Sequence, residues 1–185
     1  MLSSPTMRKF LKILAWTVLL LVVLFDIGLL LGMRLPREHT VVRTMMLGAP
    51  RQAVWQAITD FSKQPEWRAN LKSVERLPDR DGLPVWRESY KRMGSETLVT
   101  EQFIPPTYLV RTIADDKGPM SGSWEFSLLT NAVGGGTAIT LTERGSVRNP
   151  FVRFIAHDVM KYRYIDKYLG QLAAKFGEKA TIESR

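Results

Sequence analysis

The stretch Ile13 to Met33, ILAWTVLLLVVLFDIGLLLGM, constrains this chain more than any other part of it. As a helix rising about 1.5 Å per residue it is roughly 31 Å long, which matches a bilayer hydrocarbon core of about 30 Å. Arg8, Lys9 and Lys12 precede it with no acidic residue before Asp26, so the positive-inside rule keeps the N-terminus cytoplasmic. Arg34 and Arg37 weaken that bias, but a long downstream domain is translocated regardless of its charge, so the remainder is expected outside the cytoplasm. The rival reading is a cleaved signal peptide, with an apolar core of about 7 to 15 residues and an A-x-A-like site. Here the core is longer, and Leu30-Leu31-Gly32 is a poor cleavage site. Asp26 is costly inside a span. It either snorkels or is protonated near the C-terminal end, or it takes part in helix-helix association.

Beyond residue 33 the chain holds 152 residues, enough for one domain with a substantial core. Of the 26 basic and 18 acidic residues of the whole chain, 23 and 17 lie in this part. The positive excess suits an anionic lipid surface. The basic residues are interspersed with acidic ones and form no run, so the pattern is not that of a nucleic-acid binder. No cysteine is present, which excludes disulfides, thiolate metal sites and cysteine nucleophiles. Two histidines, His39 and His157, are too few for a two-His zinc motif with further histidine support, and no metal or cofactor is expected. Gly134-Gly135-Gly136 lacks dinucleotide-site spacing and reads as a hairpin turn.

Thr40 to Leu47 predicts a strand, and Pro50 to Phe61, with Val54, Trp55, Ile58 and Phe61 at helical spacing, a short amphipathic helix. Alternating runs then predict an antiparallel meander: 72–77, 85–93, 97–104, 108–113, 122–128 and 137–143. The period changes after Asn149-Pro150. Phe151, Ile155, Val159, Tyr162, Ile165, Leu169, Leu172 and Phe176 recur every three or four residues, which predicts one long C-terminal helix stopped by Gly177. A sheet with one face to bury and a long helix with one apolar face imply an α+β domain.

Within the meander, Trp124, Phe126 and Leu128 share one face, as do Ile139, Leu141 and Glu143. Pairing Leu128 with Ile139 sets Trp124 opposite Glu143, a carboxylate on an apolar wall that needs a partner or a use. It either caps or pairs at the rim, or anchors a ligand. Trp86, Glu88 and Tyr90 likewise share a face, and a Gly94-Ser95 turn would align them with Phe103, Glu101 and Val99. A one-residue slip reverses that second set.

The segments AVWQAITDFSKQPEW (Ala53 to Trp67), VTEQFIPPTYLV (Val99 to Val110), SGSWEFSL (Ser121 to Leu128) and GGGTAITLTERGSVRNPFVRF (Gly134 to Phe154) together resemble the START-like (SRPBCC) superfamily, in particular its polyketide cyclase/dehydrase and lipid-transport branch. The resemblance implies a helix-grip fold, a curved antiparallel sheet wrapped around the C-terminal helix with an apolar cavity between them. Trp67, Trp124 and Glu143 fall on its recurrent positions, and with the inward faces of strand and helix the expected cavity lining is Trp67, Trp86, Tyr90, Phe103, Trp124, Phe126, Glu143, Ile155 and Val159. It carries over no universal catalytic residue, and the membrane span departs from the soluble members. The chain is thus expected to divide into an N-terminus (1–12), a transmembrane helix (13–33), a linker (34–39), a START-like ligand-binding domain (40–177) and a tail (178–185).

The leading expectation is a non-enzymatic, membrane-tethered binding module for a lipid or other hydrophobic small molecule. A cyclase- or hydrolase-like alternative would need Glu143, Glu101 or His157 as general acid or base. His157 sits about 200° around the helix from Ile155, toward the side or solvent. A third alternative uses a charged outer helix face at Lys161, Tyr164 and Tyr168 to hold another membrane component. For the anchor, the full-length chain should stay in the membrane fraction through alkaline carbonate washing. A shortened soluble product beginning near Met33 would identify a signal peptide instead.

Overall fold

The computed structural model of the protein describes residues 5–92, 94–115, 118, 120–131, 135–159 and 163–184, without the side chains of 5–6 and 156–159. Its first element is α1 (Pro5–Arg34), whose apolar side chains stand exposed along nearly its whole length. It is long and apolar enough to cross a membrane.

Strand β1 (Glu38–Leu47) follows and ends at Gly48-Ala49-Pro50, which opens α2 (Arg51–Thr59). Val54, Trp55 and Ile58, at helical spacing, bury one face of α2 against the sheet. A 3-10 turn at Phe61–Lys63 leads into the single turn α3 (Gln64–Trp67). The meander is β2 (Leu71–Arg80), β3 (Leu83–Tyr90), β4 (Gly94–Ile104), β5 (Tyr108–Ile113), β6 (Met120–Thr130) and β7 (Thr137–Val147). All pair antiparallel in the order β2-β3-β4-β5-β6-β7-β1, and β8 (Ile182–Ser184) closes the β1 edge. Residues 182–184, read from the sequence as tail, therefore cover an otherwise open strand edge.

The expected register of β6 and β7 is found, with Leu128 on Ile139 and Trp124 on Glu143. That of β3 and β4 differs. Tyr90 pairs with Gly94, Glu88 with Glu96 and Trp86 with Leu98, because the turn falls before Gly94, whose φ of +79° suits glycine. The difference is an odd number of residues, so the faces swap: Leu98 and Thr100 point inward. Glu101 is the extra residue of a bulge between Thr100 and Gln102, and the bulge returns Phe103 to the side of Trp55, 5.3 Å between ring centroids.

The C-terminal helix consists of α4 (Pro150–Val159) and α5 (Arg163–Lys175), with 160–162 outside the described residues. Among the described residues it is α5 that packs along the sheet's inner face. Ile165, Leu169, Leu172 and Ala173 are buried in the core with Leu128, Ile139 and Leu141, and Asp166 accepts a 2.9 Å bond from Arg43 on β1. The helix α4 packs instead on the end of α1. Phe151 lies 4.7 Å from Phe25 between ring centroids and also meets Gly28, while Pro150 lies over Gly32. Gly28 and Gly32 form a G-x-x-x-G face, the small-residue spacing that lets helix backbones approach closely. Arg153 locks the junction: it is 6% exposed and donates to Gly32 O, Leu35 O, Val147 O and Arg148 O at 2.9–3.0 Å. Two of those acceptors belong to the last turn of α1 and the residue after it, where helical carbonyls lack internal partners. The segment 34–39, expected as a linker, is thereby fixed to the domain.

A Cβ at position 32 would stand 1.9 Å from Pro150 O, a backbone atom that cannot rotate away. Gly32→Val should therefore loosen α4 by about 1–3 kcal/mol, as over-packing usually does. Hydrogen exchange of residues 151–155 should accelerate while α5 stays protected. Unchanged exchange in α4 would show that the contact is not tight.

Candidate functional site

The concave face carries an apolar wall beside a buried ionic cluster. On β3, alternation places Glu88 inward between Trp86 and Tyr90; on β5 it places Arg111 inward beside Leu109. Arg68 follows α3, whose Gln64 fixes it: Gln64 Nε2 donates to Ile58 O at 2.9 Å and its Oε1 accepts from Arg68 Nη1 at 2.6 Å. Glu88, with no solvent exposure, receives Arg68 Nη1 at 2.8 Å, Arg111 Nη1 at 2.6 Å and the Tyr90 hydroxyl at 2.9 Å. Arg68 Nη2 reaches the hydroxyls of Tyr164 at 3.3 Å and Tyr90 at 3.5 Å. Both guanidiniums also lie over rings, Arg111 4.2 Å from Phe61 and Arg68 5.2 Å from Tyr168.

Burial pushes the Glu88 carboxyl up, but Arg111 and Arg68 outweigh it and bring it down to about 2. Burial also works against the Arg68 cation, yet Glu88 and the neighbouring phenols raise its pKa. Burial lifts Tyr164 to about 12 and raises Tyr90 and Tyr168, so all three hydroxyls stay protonated donors. Glu96, across from Glu88, is raised by burial first and then by the Glu88 charge. Two arginines against one buried carboxylate leave a net positive interior. Among the described residues, Arg111, 3% exposed, has no hydrogen-bond partner at Nε or Nη2, and neither have the Thr100 hydroxyl and the Trp86 indole N–H on the same face. Buried donors of this kind are rare and cost about 1–3 kcal/mol each when unpaired.

Two clefts flank Tyr164. One, about 190 Å³ including the space at its mouth, is lined by Trp124, Phe126, Leu141, Glu143, Tyr164, Ile165 and Tyr168. The other, about 180 Å³, lies among Arg68, Asn70, Lys167 and Gln171 beside the same two tyrosines. The space in them that would admit a water molecule is only about 0 and 10 Å³, so neither is an open ligand pocket of the usual size, about 300–1,000 Å³. Aromatic side chains fill the interior: Trp124 stacks on Tyr164 at 5.0 Å, and Tyr168 meets Trp67 at 5.4 Å and Phe126 at 5.6 Å.

Of the residues expected at a cavity, Trp124, Phe126 and Glu143 come together at the first cleft, and Trp67, Trp86 and Tyr90 pack close by on the same side of the sheet. Glu143 Oε1 is 3.5 Å from His39 Nε2, and His39 lies over Gly145, where a Cβ would meet its ring at 2.3 Å. Phe103 sits at the far end, 37% exposed against Trp55, and Glu101 is exposed on its bulge. Ile155 is on α4 and 45% exposed, away from both clefts; the side chains of Val159 and His157 lie outside the described residues. The outer helix face expected at Lys161, Tyr164 and Tyr168 is corrected: Tyr164 lines the clefts and Tyr168 is 5% exposed in the core, while Lys161 lies outside the described residues. Helical spacing groups such residues on one face but does not say which face meets the sheet.

Sequence reasoning missed Arg68 and Arg111. The available signal was a charge at an inward, apolar-alternating position, Arg111 next to Leu109 and Glu88 between two aromatics. Its partners come from other strands and a separate helix turn, so no local spacing announces the cluster.

A curved antiparallel sheet closed by the C-terminal helix α5 is the helix-grip fold. Residues 38–177 match the family model described as polyketide cyclase / dehydrase and lipid transport, and the chain belongs to that family. None of the curated protein sequences compared with it matches. Among solved structures, it is similar to a START superfamily protein from Mycobacterium smegmatis (16% identity, 74% of this chain and 96% of that one, TM-score 0.59). It is also similar to the Zhui aromatase/cyclase from Streptomyces sp. R1128 (16%, 75% and 93%, 0.63) and to norcoclaurine synthase from Thalictrum flavum (9%, 76% and 87%, 0.59). At these identities the likeness is one of fold.

Glu88→Gln keeps the shape but leaves two buried arginines facing each other, and should cost about 3–5 kcal/mol of stability. Because Glu88 lies below its ordinary 4.5, its contribution is complete above that pH and is lost as pH falls toward about 2. Thermal melts of the full-length protein should show this acid-limb loss in the wild type, and Glu88→Gln should lack that component.

Proposed function

We propose that this protein is a membrane-tethered binding module for a lipid or other hydrophobic small molecule with an anionic or acceptor-rich end. The observation that carries the reading is Arg111: a buried cation whose Nε and Nη2 have no hydrogen-bond partner among the described residues, beside Thr100 and next to an aromatic wall that includes Trp124. An apolar body would lie along Trp124, Phe126 and Tyr164, and its polar end would take the free donors. Admission of such a molecule requires the aromatic filling between α5 and the sheet to move, because the clefts are small. Membership in a family that includes lipid transport supports this ligand class. The exposed apolar helix α1 supports a tether, and Arg8, Lys9 and Lys12 support a cytoplasmic N-terminus with the domain outside.

The test is to extract the full-length protein in mild detergent and identify co-purifying lipids by mass spectrometry. Trp124→Ala should lower retention of any apolar ligand, by about 25 cal/mol per Å² of lost burial. Arg111→Met should deplete anionic species selectively, by about 1.5–3 kcal/mol per charged hydrogen bond. Identical lipid profiles for wild type and both variants would overturn the proposal. Glu143→Gln adds a second discrimination: a polar anchor predicts altered head-group preference, whereas a rim contact to His39 predicts a lower melting temperature alone.

A further inference from the structure

Among the described residues, the exposed side of α4 has no partner in the fold. Phe154 and Ile155 are 40% and 45% exposed on a helix that packs mainly on α1 and is tied to the end of β7 by Arg153. Their surroundings identify what covers them. Phe154 also approaches Gly28, so the exposed apolar surface of α4 is continuous with that of α1, where Ile27, Leu30 and Leu31 are 47%, 57% and 44% exposed. Gly28 stands six residues before Arg34, which places the α1–α4 crossing about 9 Å along the helix from that charge. An amphipathic helix lying in a bilayer interface buries its apolar face to about 5–10 Å. The two depths coincide.

A second, independent feature points the same way. Backbone groups near the hydrocarbon region must be satisfied by the protein, since water is not there to do it. At this junction they are: Arg153 caps Gly32 O and Leu35 O, Leu35 N bonds Gly32 O at 3.3 Å, and Asn149 Oδ1 receives Val152 N at 3.1 Å at the start of α4. Around the junction Arg34, Arg37 and Arg148 are exposed, positions suited to lipid phosphates.

We propose that α4 is a membrane-docking helix, seated on the Gly28–Gly32 face of α1, with Phe154 and Ile155 inserted among the acyl chains of the leaflet next to the domain. This rests on the reading of α1 as a membrane span. It fixes the domain on the bilayer, with the end of the sheet that carries Met120, Val147 and Glu38 facing the lipid. The Trp124–Glu143 pair lies four residues along β6 and β7 from that end. A lipid taken from the leaflet would therefore have a short path to the first cleft.

The absence of cysteine from the chain makes a direct test available. Four single-cysteine variants of the full-length protein, Phe154→Cys, Ile155→Cys, Leu20→Cys and Lys91→Cys, are labelled with an environment-sensitive fluorophore and reconstituted in phosphatidylcholine–phosphatidylglycerol vesicles. Spin-labelled lipids with the nitroxide on the acyl chain serve as quencher. Positions 154 and 155 should give blue-shifted emission and quenching of the same order as position 20 in the middle of α1, while position 91, in the turn after β3, should give neither. Quenching at 20 with 154 and 155 behaving like 91 would overturn the docking of α4 and leave the span standing. No quenching at 20 would overturn both. Phe154 and Ile155 contribute to no core cluster, so melting temperatures close to wild type confirm that each labelled variant is folded.

Discussion

Glu88 holds the interior of the domain together because it is a carboxylate without water, and its charge is tolerable only where two guanidiniums and a phenol surround it. Arg68 brings α3 to the sheet, Arg111 ties β5 to β3, and the Tyr164 hydroxyl, accepting from Arg68, draws α5 onto the same cluster. A buried ion pair is weak evidence for net stability, since desolvation opposes the Coulombic gain. What it does provide is a fixed geometry: no partner can leave without stranding a charge. The aromatic wall of Trp124, Tyr164, Tyr168 and Phe126 is arranged around that fixed point.

The cluster is stoichiometrically lopsided, and the proposed function rests on that asymmetry. Two arginines answer one buried carboxylate, and the second valence of Arg111 is directed into the protein without an acceptor. Interiors seldom leave donors in this state. A ligand that supplies an acceptor would gain the hydrogen bonds while its apolar part replaces contacts among the aromatics, so recognition of the polar end and of the apolar body are energetically separate.

The second organising constraint is the joint at Arg153. A span followed by a short connector would ordinarily leave the domain free to tumble at the surface. Here one guanidinium draws the end of α1, the end of β7 and the start of α4 into a single set of hydrogen bonds, and two glycines let α4 lie against α1. The domain and α1 therefore move as neighbours, and the orientation of the sheet relative to α1 is set by side-chain chemistry.

Much of this is written in the sequence. The length of the apolar run determined α1; period-two alternation determined the strands and the inward placement of Trp124, Phe126 and Glu143; and Asn149-Pro150 marked where the last helices begin. These are properties of one segment at a time, and periodicity reports them directly. Tertiary structure decided the rest. The β3–β4 register depended on which residues closed a turn, and one odd shift sent Glu101 to solvent. The C-terminal apolar stripe was legible, but its division between two surfaces was not: α5 meets the sheet and α4 meets α1. Glu88, Arg68 and Arg111 lie 20 and 23 residues apart in the chain and become a site only when three elements converge. A segment's pattern fixes which of its faces is apolar, whereas the surface that covers that face is chosen by the whole packed chain.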